Sequence, residues 1–220
     1  MEKVLIKAVL WDFGGVLTSS PFEAFARYEQ ANGLPVDFIR SINATNPDSN
    51  AWAQFESNQM SVEAFDAAFA AESEARGHLI RGQSVLALLS GDIRPRMVQA
   101  LKQIKQTHAV GCITNNVKSG QGAGMARSES KAEAVAGVMA LFDTVIESSL
   151  VGIRKPNPEI YLMACRAMSI EPTEALFIDD LGINLKPAKA LGMTTIKVLN
   201  EAQALHDLSA ALDLVLPSQG

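Results

Sequence analysis

Three short, nearly unbroken apolar runs, at residues 8–11, 109–113 and 175–178, each stop abruptly on polar side chains. Runs this short and uniformly apolar fit parallel strands covered on both faces, because a strand with one wet face alternates instead. Two further stretches, 144–146 and 194–199, complete a set of strand candidates. Helical patterns separate them, at 94–106, 132–141, 158–168 and 185–191. That alternation predicts a right-handed, doubly wound α/β sheet. Boundary residues agree. Asn157 is placed to cap a helix with Pro158 in its first turn, and Gly192 follows Leu191 where a helix-ending glycine belongs.

Between residues 19 and 91 the pattern changes. Helical stretches take over, at 22–31, 36–42, 62–75 and 84–89, with Ser61 placed to cap the third. The expected division is therefore a core from 1–18 and 92–220, with a helical cap from 19 to 91. A block inserted directly after the first strand reads as a lid over that strand's carboxyl end, where such sheets bind ligands. Trp52, Phe55 and Phe65 of this block are read as core rather than pocket lining. The segment 117–131, with Gly120-Gln-Gly-Ala-Gly124, is read as a flexible loop. Its first glycine stands about seven residues past the strand, whereas a dinucleotide-binding turn starts at once.

Composition narrows the function classes. The chain has 220 residues, a net charge of −5 and no basic cluster, which argues against nucleic acid as the main partner. No stretch approaches a membrane span, and the first residues lack a secretory signal. Cys112 and Cys165 read as two buried thiols, and His78, His108 and His206 show no metal-ligand spacing. A cytoplasmic protein is expected, acting on a small molecule.

The chemistry sits where the apolar runs stop. Asp12 ends the first and is followed by Gly14 and Gly15 after one residue, Phe13. A carboxylate fixed at a strand end, with glycines that let a ligand approach the backbone, is placed for chemistry rather than packing. As a nucleophile it would attack phosphorus and split one displacement into two. Thr114 and Asn115 end the second run and could hold phosphate oxygens. Asp179 and Asp180 end the third. Carboxylates gathered there repel one another, and Mg²⁺ with hard oxygen ligands relieves the repulsion. Lys155, restrained by Pro156, is a point charge that could bridge Asp12 and a phosphoryl group.

Together these residues resemble the haloacid dehalogenase (HAD) superfamily of aspartyl-phosphate hydrolases. Its motifs occur in order as Asp12-Phe-Gly-Gly-Val-Leu-Thr18, Ile113-Thr-Asn115, Lys155-Pro-Asn-Pro158 and Phe177-Ile-Asp-Asp180. Two longer stretches, 147–156 and 178–188, are similar to the N-terminal phosphatase domain of soluble epoxide hydrolases and its bacterial relatives. The resemblance implies a Rossmann-like sheet with a small helical cap. It makes Asp12 nucleophile and metal ligand, Thr114 and Asn115 phosphate ligands, and Lys155 the charge clamp. Asp180 becomes the direct Mg²⁺ ligand beside the Gly14 carbonyl, and Asp179 its supporting neighbour. One departure stands out: Gly14 occupies the place where most phosphatases of the superfamily carry an acid/base aspartate. The expected activity is Mg²⁺-dependent hydrolysis of small phosphate esters with good leaving groups. The rivals are a phospho-ligand binder with little turnover and a haloacid dehalogenase, whose motifs lack the Asp-Asp pair.

Overall fold

The computed structural model describes residues 5–116 and 129–217, so most of the Gly/Ser-rich segment lies outside the described residues. Five parallel strands form one sheet in the order β3-β2-β1-β4-β5: β1 Ala8–Trp11, β2 Ala109–Thr114, β3 Thr144–Glu147, β4 Ala175–Asp179 and β5 Thr194–Lys197. The first strand is central, with Ala8 opposite both Ala109 and Ala175. All four of its side chains are fully buried. Alternate residues face opposite layers. Val9 and Trp11 join a cluster with Met97, Leu101 and Ile104 of α6 (Pro95–Ile104), Val135 of α7 (Glu129–Met139), and Leu205 and Leu208 of α11 (Glu201–Leu212). Leu10 and Phe177 face Ile160 and Tyr161 of α9 (Pro158–Met168) and Ala188 of α10 (Gly182–Ala190). Helices on both faces make the doubly wound sheet that the apolar runs predict.

Local signals set several boundaries. The Asn157 carboxamide accepts the Glu159 N–H at 3.0 Å, and Pro158 occupies the first turn of α9. Gly192 follows α10 at φ +95°. The start of α10 differs from expectation: it begins at Gly182 rather than 185, because Asn184 anchors its first turn to the end of β4. Helix α11 has no counterpart among the expected helices, although Asn200 caps it by accepting the Gln203 N–H at 2.9 Å. The last strand stops at Lys197 rather than 199.

Between β1 and β2 come α1 (Pro21–Ala31), α2 (Phe38–Asn43), α3 (Ala51–Glu56), α4 (Val62–Glu74) and α5 (Gly82–Leu86). These helices share an apolar cluster of their own, including Phe25, Ile39, Ile42, Phe55, Phe65 and Phe69. Phe55 and Phe65 stack at 4.5 Å inside it, while Trp52 is half-buried and packs edge-to-face with Phe65. Helix α4 starts at the expected Ser61 cap, whose hydroxyl accepts the Ala64 N–H at 3.2 Å. The two connecting segments are tied together. Ser19 N–H donates to the Asp92 carbonyl at 2.8 Å, and Thr18 bridges Ile93. A short helix, α8 (Ser148–Val151), follows β3 directly. Among the described residues, no helix is long and apolar enough to cross a membrane.

Candidate active site

The carboxyl ends of β1 and β4 lie side by side, and the sheet register brings their acidic residues together. Asp12 N–H donates to the Ile178 carbonyl at 2.9 Å, continuing the ladder and fixing the Asp12 backbone. Its Oδ1 accepts the Phe13 N–H at 2.7 Å and a charged hydrogen bond from Lys155 Nζ at 2.8 Å. The same ammonium donates to Asp179 Oδ2 at 2.8 Å. Lys155 is therefore a buried cation shared by two buried carboxylates, not a solvated loop lysine. Removing one partner of such an arrangement typically costs about 3–5 kcal/mol.

Asp179 and Asp180 are neighbours with different surroundings. Asp179 is fully buried: Oδ1 accepts the Leu181 N–H at 2.7 Å, and Asn184 Nδ2 reaches both oxygens, at 3.1 and 3.0 Å. Asp180 is partly exposed, and its carboxylate accepts a long hydrogen bond from Ser20 Oγ at 3.4 Å. Its carboxylate lies over Gly15, which sits at φ +75°; a Cβ there would fall 2.2 Å from Asp180 Oδ2. Glycine is required at that position by both conformation and space. Gly14 is different: a Cβ would meet nothing within 4 Å.

Asp12, Asp179 and Asp180 each offer an oxygen within 4.8 Å of the others. Burial pushes the Asp12 carboxyl well above the usual range; Lys155 opposes the shift, and Asp179 and Asp180 add to it. Asp180 is pushed up to about 6, by burial and then by Asp179. Burial alone would discharge Lys155, but Asp12 and Asp179 outweigh it and hold its pKa above the ordinary lysine value. Three carboxylates against one ammonium leave a formal excess of two negative charges.

β2 ends on Thr114, and Asn115 follows it beside Lys155. Thr114 is buried, with no bond to the carboxylates. The Asn115 side chain turns to Lys155, accepting its N–H at 2.8 Å and donating to its carbonyl at 3.0 Å across a cis Lys155–Pro156 bond. What Asn115 can offer a phosphate is therefore its backbone N–H. Asn116 latches the next strand end, donating to Glu147 Oε2 at 2.6 Å and to Ser148 Oγ, by its backbone, at 3.0 Å. Sequence reasoning missed Ser20 and Asn184. Asn184 could have been flagged, since a polar residue in the first turn after an acidic strand end points back toward it.

The chain is similar to several known proteins. A family model described as haloacid dehalogenase-like hydrolase matches residues 6–192. Bifunctional epoxide hydrolase 2 of Mus musculus is 31% identical over 96% of this chain and 40% of its own length. Phosphatase MT3486 of Mycobacterium tuberculosis is 27% identical over 94% of this chain and 97% of its own. The chain spans 19% to 40% of the lengths of the mouse, rat and pig relatives that it matches at 29% to 33% identity. A HAD family enzyme from Bacteroides thetaiotaomicron, solved with magnesium and inorganic phosphate, shares the fold. Its TM-score is 0.58 at 22% identity, over 87% of this chain and 93% of that one.

Proposed function

The chain belongs to the haloacid dehalogenase-like hydrolase family, and we propose that it is a Mg²⁺-dependent phosphatase of small phosphorylated metabolites. The observation that carries this reading is the Lys155 ammonium bridging Asp12 and Asp179, with Asp180 left over in the same cluster. The uncompensated charge and the hard oxygen donors fit a divalent cation held by Asp12 and Asp180, with the Gly14 carbonyl beside them. Asp179 has its oxygens engaged by Lys155, Leu181 and Asn184, so it supports the site from behind. A bound Mg²⁺ supplies neutralisation of the phosphate and of the carboxylates that face it.

Asp12 is the nucleophile. Among the described residues, its side-chain bonds fall on Oδ1, and Oδ2 is the oxygen assigned to attack phosphorus. The P–O bond to the leaving group breaks as the Asp12–phosphorus bond forms, and water then hydrolyses the acyl phosphate. Lys155, kept charged by its neighbours, offsets negative charge on the transferring group. Thr114 and the backbone of Asn115 hold phosphate oxygens. With Gly14 in the acid/base place, the leaving oxygen departs as an anion, so esters with good leaving groups are the favoured substrates. The homology to a named mycobacterial phosphatase over almost the full length of both chains supports the reaction class.

Gly14 also favours a second reading, a binder of phosphorylated ligands with little turnover. Release of phosphate from 4-nitrophenyl phosphate, with Mg²⁺ and then with chelator, separates the two. Equal rates in both would overturn the metal assignment. Absence of release across a broad ester panel, with phosphate binding intact, would favour the binder.

A further inference from the structure

The helical block between β1 and β2 has its own apolar core and two tied connecting segments, and it also meets the rest of the molecule at a charged contact. Arg154 Nε lies 2.8 Å from Glu56 Oε2, and Arg154 Nη1 donates to the Pro47 carbonyl at 2.9 Å. Glu56 is the last residue of α3, is buried, and takes a hydrogen bond from the Trp52 side chain. Helix α3 packs on α8, the turn that leads from β3 toward Arg154. The next residue is Lys155, whose N–H and carbonyl are both held by Asn115 from the sheet side. Arg154 is thus held by the helical block, and Lys155 by Asn115, the residue that follows β2.

We propose that Arg154 is a positioning residue: captured by Glu56 and the Pro47 carbonyl, it couples docking of the helical block to the placement of Lys155 between Asp12 and Asp179. The proposal rests on the reading of Lys155 as the charge clamp. A largely buried ion pair is a weak source of stability, because desolvation offsets most of the attraction, and well-packed apolar residues often replace it without loss. Its effect here is geometric. A docked block holds Arg154, Arg154 fixes the backbone that presents Lys155, and the site is completed only when the block covers it.

The test uses the full chain and the variants Arg154→Gln, Arg154→Lys, Glu56→Gln and the Glu56→Gln/Arg154→Gln double. Two readouts need no turnover: amide hydrogen exchange over residues 51–56, and exchange of the Lys155 N–H bonded to Asn115. Both single Gln variants should speed exchange at both places. They should also lower kcat on 4-nitrophenyl phosphate by about ten- to a hundredfold, the scale of a small misplacement, with KM nearly unchanged. The double should be no worse than either single, because both residues act through one contact. Arg154→Lys, which keeps the charge, should recover part of kcat. Unchanged Lys155 exchange in the Gln variants would overturn the proposal, as would effects that multiply in the double. If the wild type releases no phosphate from any ester, the functional reading fails while the two exchange measurements still decide the coupling.

Discussion

Restoring a carboxylate at Gly14 tests the proposed chemistry most directly. A Cβ at this position meets no atom within 4 Å, and the backbone is not left-handed, in contrast to Gly15 at φ +75°. Gly14→Asp should therefore fold, and Gly14→Ala should be neutral or stabilising by about 0.4–1 kcal/mol through the unfolded chain. The new acid would protonate a departing alkoxide, an effect of roughly 10²–10⁴-fold, equivalent to about 3–5 kcal/mol of barrier. The gain should appear for alkyl phosphates, whose leaving groups need a proton, and be small for aryl phosphates, whose leaving groups do not. The assay is kcat/KM at saturating Mg²⁺ over a series of esters, plotted against leaving-group pKa. Wild type should show a steep negative slope, and Gly14→Asp a shallow one. A flat slope in the wild type, in a range where chemistry limits the rate, would refute the reasoning, because another group would then be supplying the proton.

Further perturbations separate the site's parts. Asp12→Asn keeps shape but removes the attacking oxygen's charge and one partner of Lys155, so turnover of the folded variant should collapse by at least about 10³-fold; substantial residual turnover would exclude the covalent route. Gly15→Ala should cost about 1–2 kcal/mol from the left-handed backbone and displace Asp180, weakening Mg²⁺ binding; normal affinity would show that Asp180 does not need its present place. Asp180→Asn should weaken Mg²⁺ with little loss of stability, whereas Asp179→Asn should lower the melting temperature, since it strips a partner from buried Lys155. The opposite pattern would reverse the two roles. Asp180 titrates near 6 without metal, above the ordinary carboxylate range, and metal needs its charged form. Mg²⁺ affinity should therefore fall below about pH 6 and level off above it. By the same sign, the contribution of this group to metal-free stability is present at low pH and is lost as pH rises through about 6. Calorimetric titration from pH 5 to 8 checks the affinity, and a flat profile would refute the assignment.

The strands were legible because burial on both faces leaves uniform apolar runs, and the polar residues that end them stood out by contrast. Asp12, Asp179, Asp180 and Lys155 therefore read as one constellation in the sequence alone. Other features depend on direction, which spacing does not encode. Asn115 reads as a phosphate ligand in the sequence, yet its carboxamide turns back to grip Lys155. Gly14 and Gly15 look equivalent in the chain, but Asp180 occupies the space above one and not the other. Helix α3 spans Ala51–Glu56, too short for its periodicity to register. Helix α11 was readable in principle: Ala204, Leu205, Leu208 and Leu212 repeat at helical spacing behind the Asn200 cap.

The arrangement of charge explains why two adjacent aspartates take different parts. One lysine cannot neutralise three carboxylates, so the position of its ammonium decides which of them stays short of a partner. Asn115 sets that position from the backbone side, and the ammonium falls between Asp12 and Asp179. Asn184 and the Leu181 N–H then fill the remaining capacity of Asp179. Asp180 is left with a long bond from Ser20 and the greater exposure, which makes it the carboxylate with the most to gain from a cation. Ser20 also caps the first helix of the inserted block, accepting the Phe22 N–H at 3.4 Å. Movement of that block would thus reach the site twice, at Asp180 through Ser20 and at Lys155 through Arg154. On the proposed assignment, the first contact bears on the metal and the second on the phosphoryl group. A cap that moves should therefore change Mg²⁺ affinity and turnover together, whereas loss of the Arg154 contact alone should change turnover and leave Mg²⁺ affinity in place.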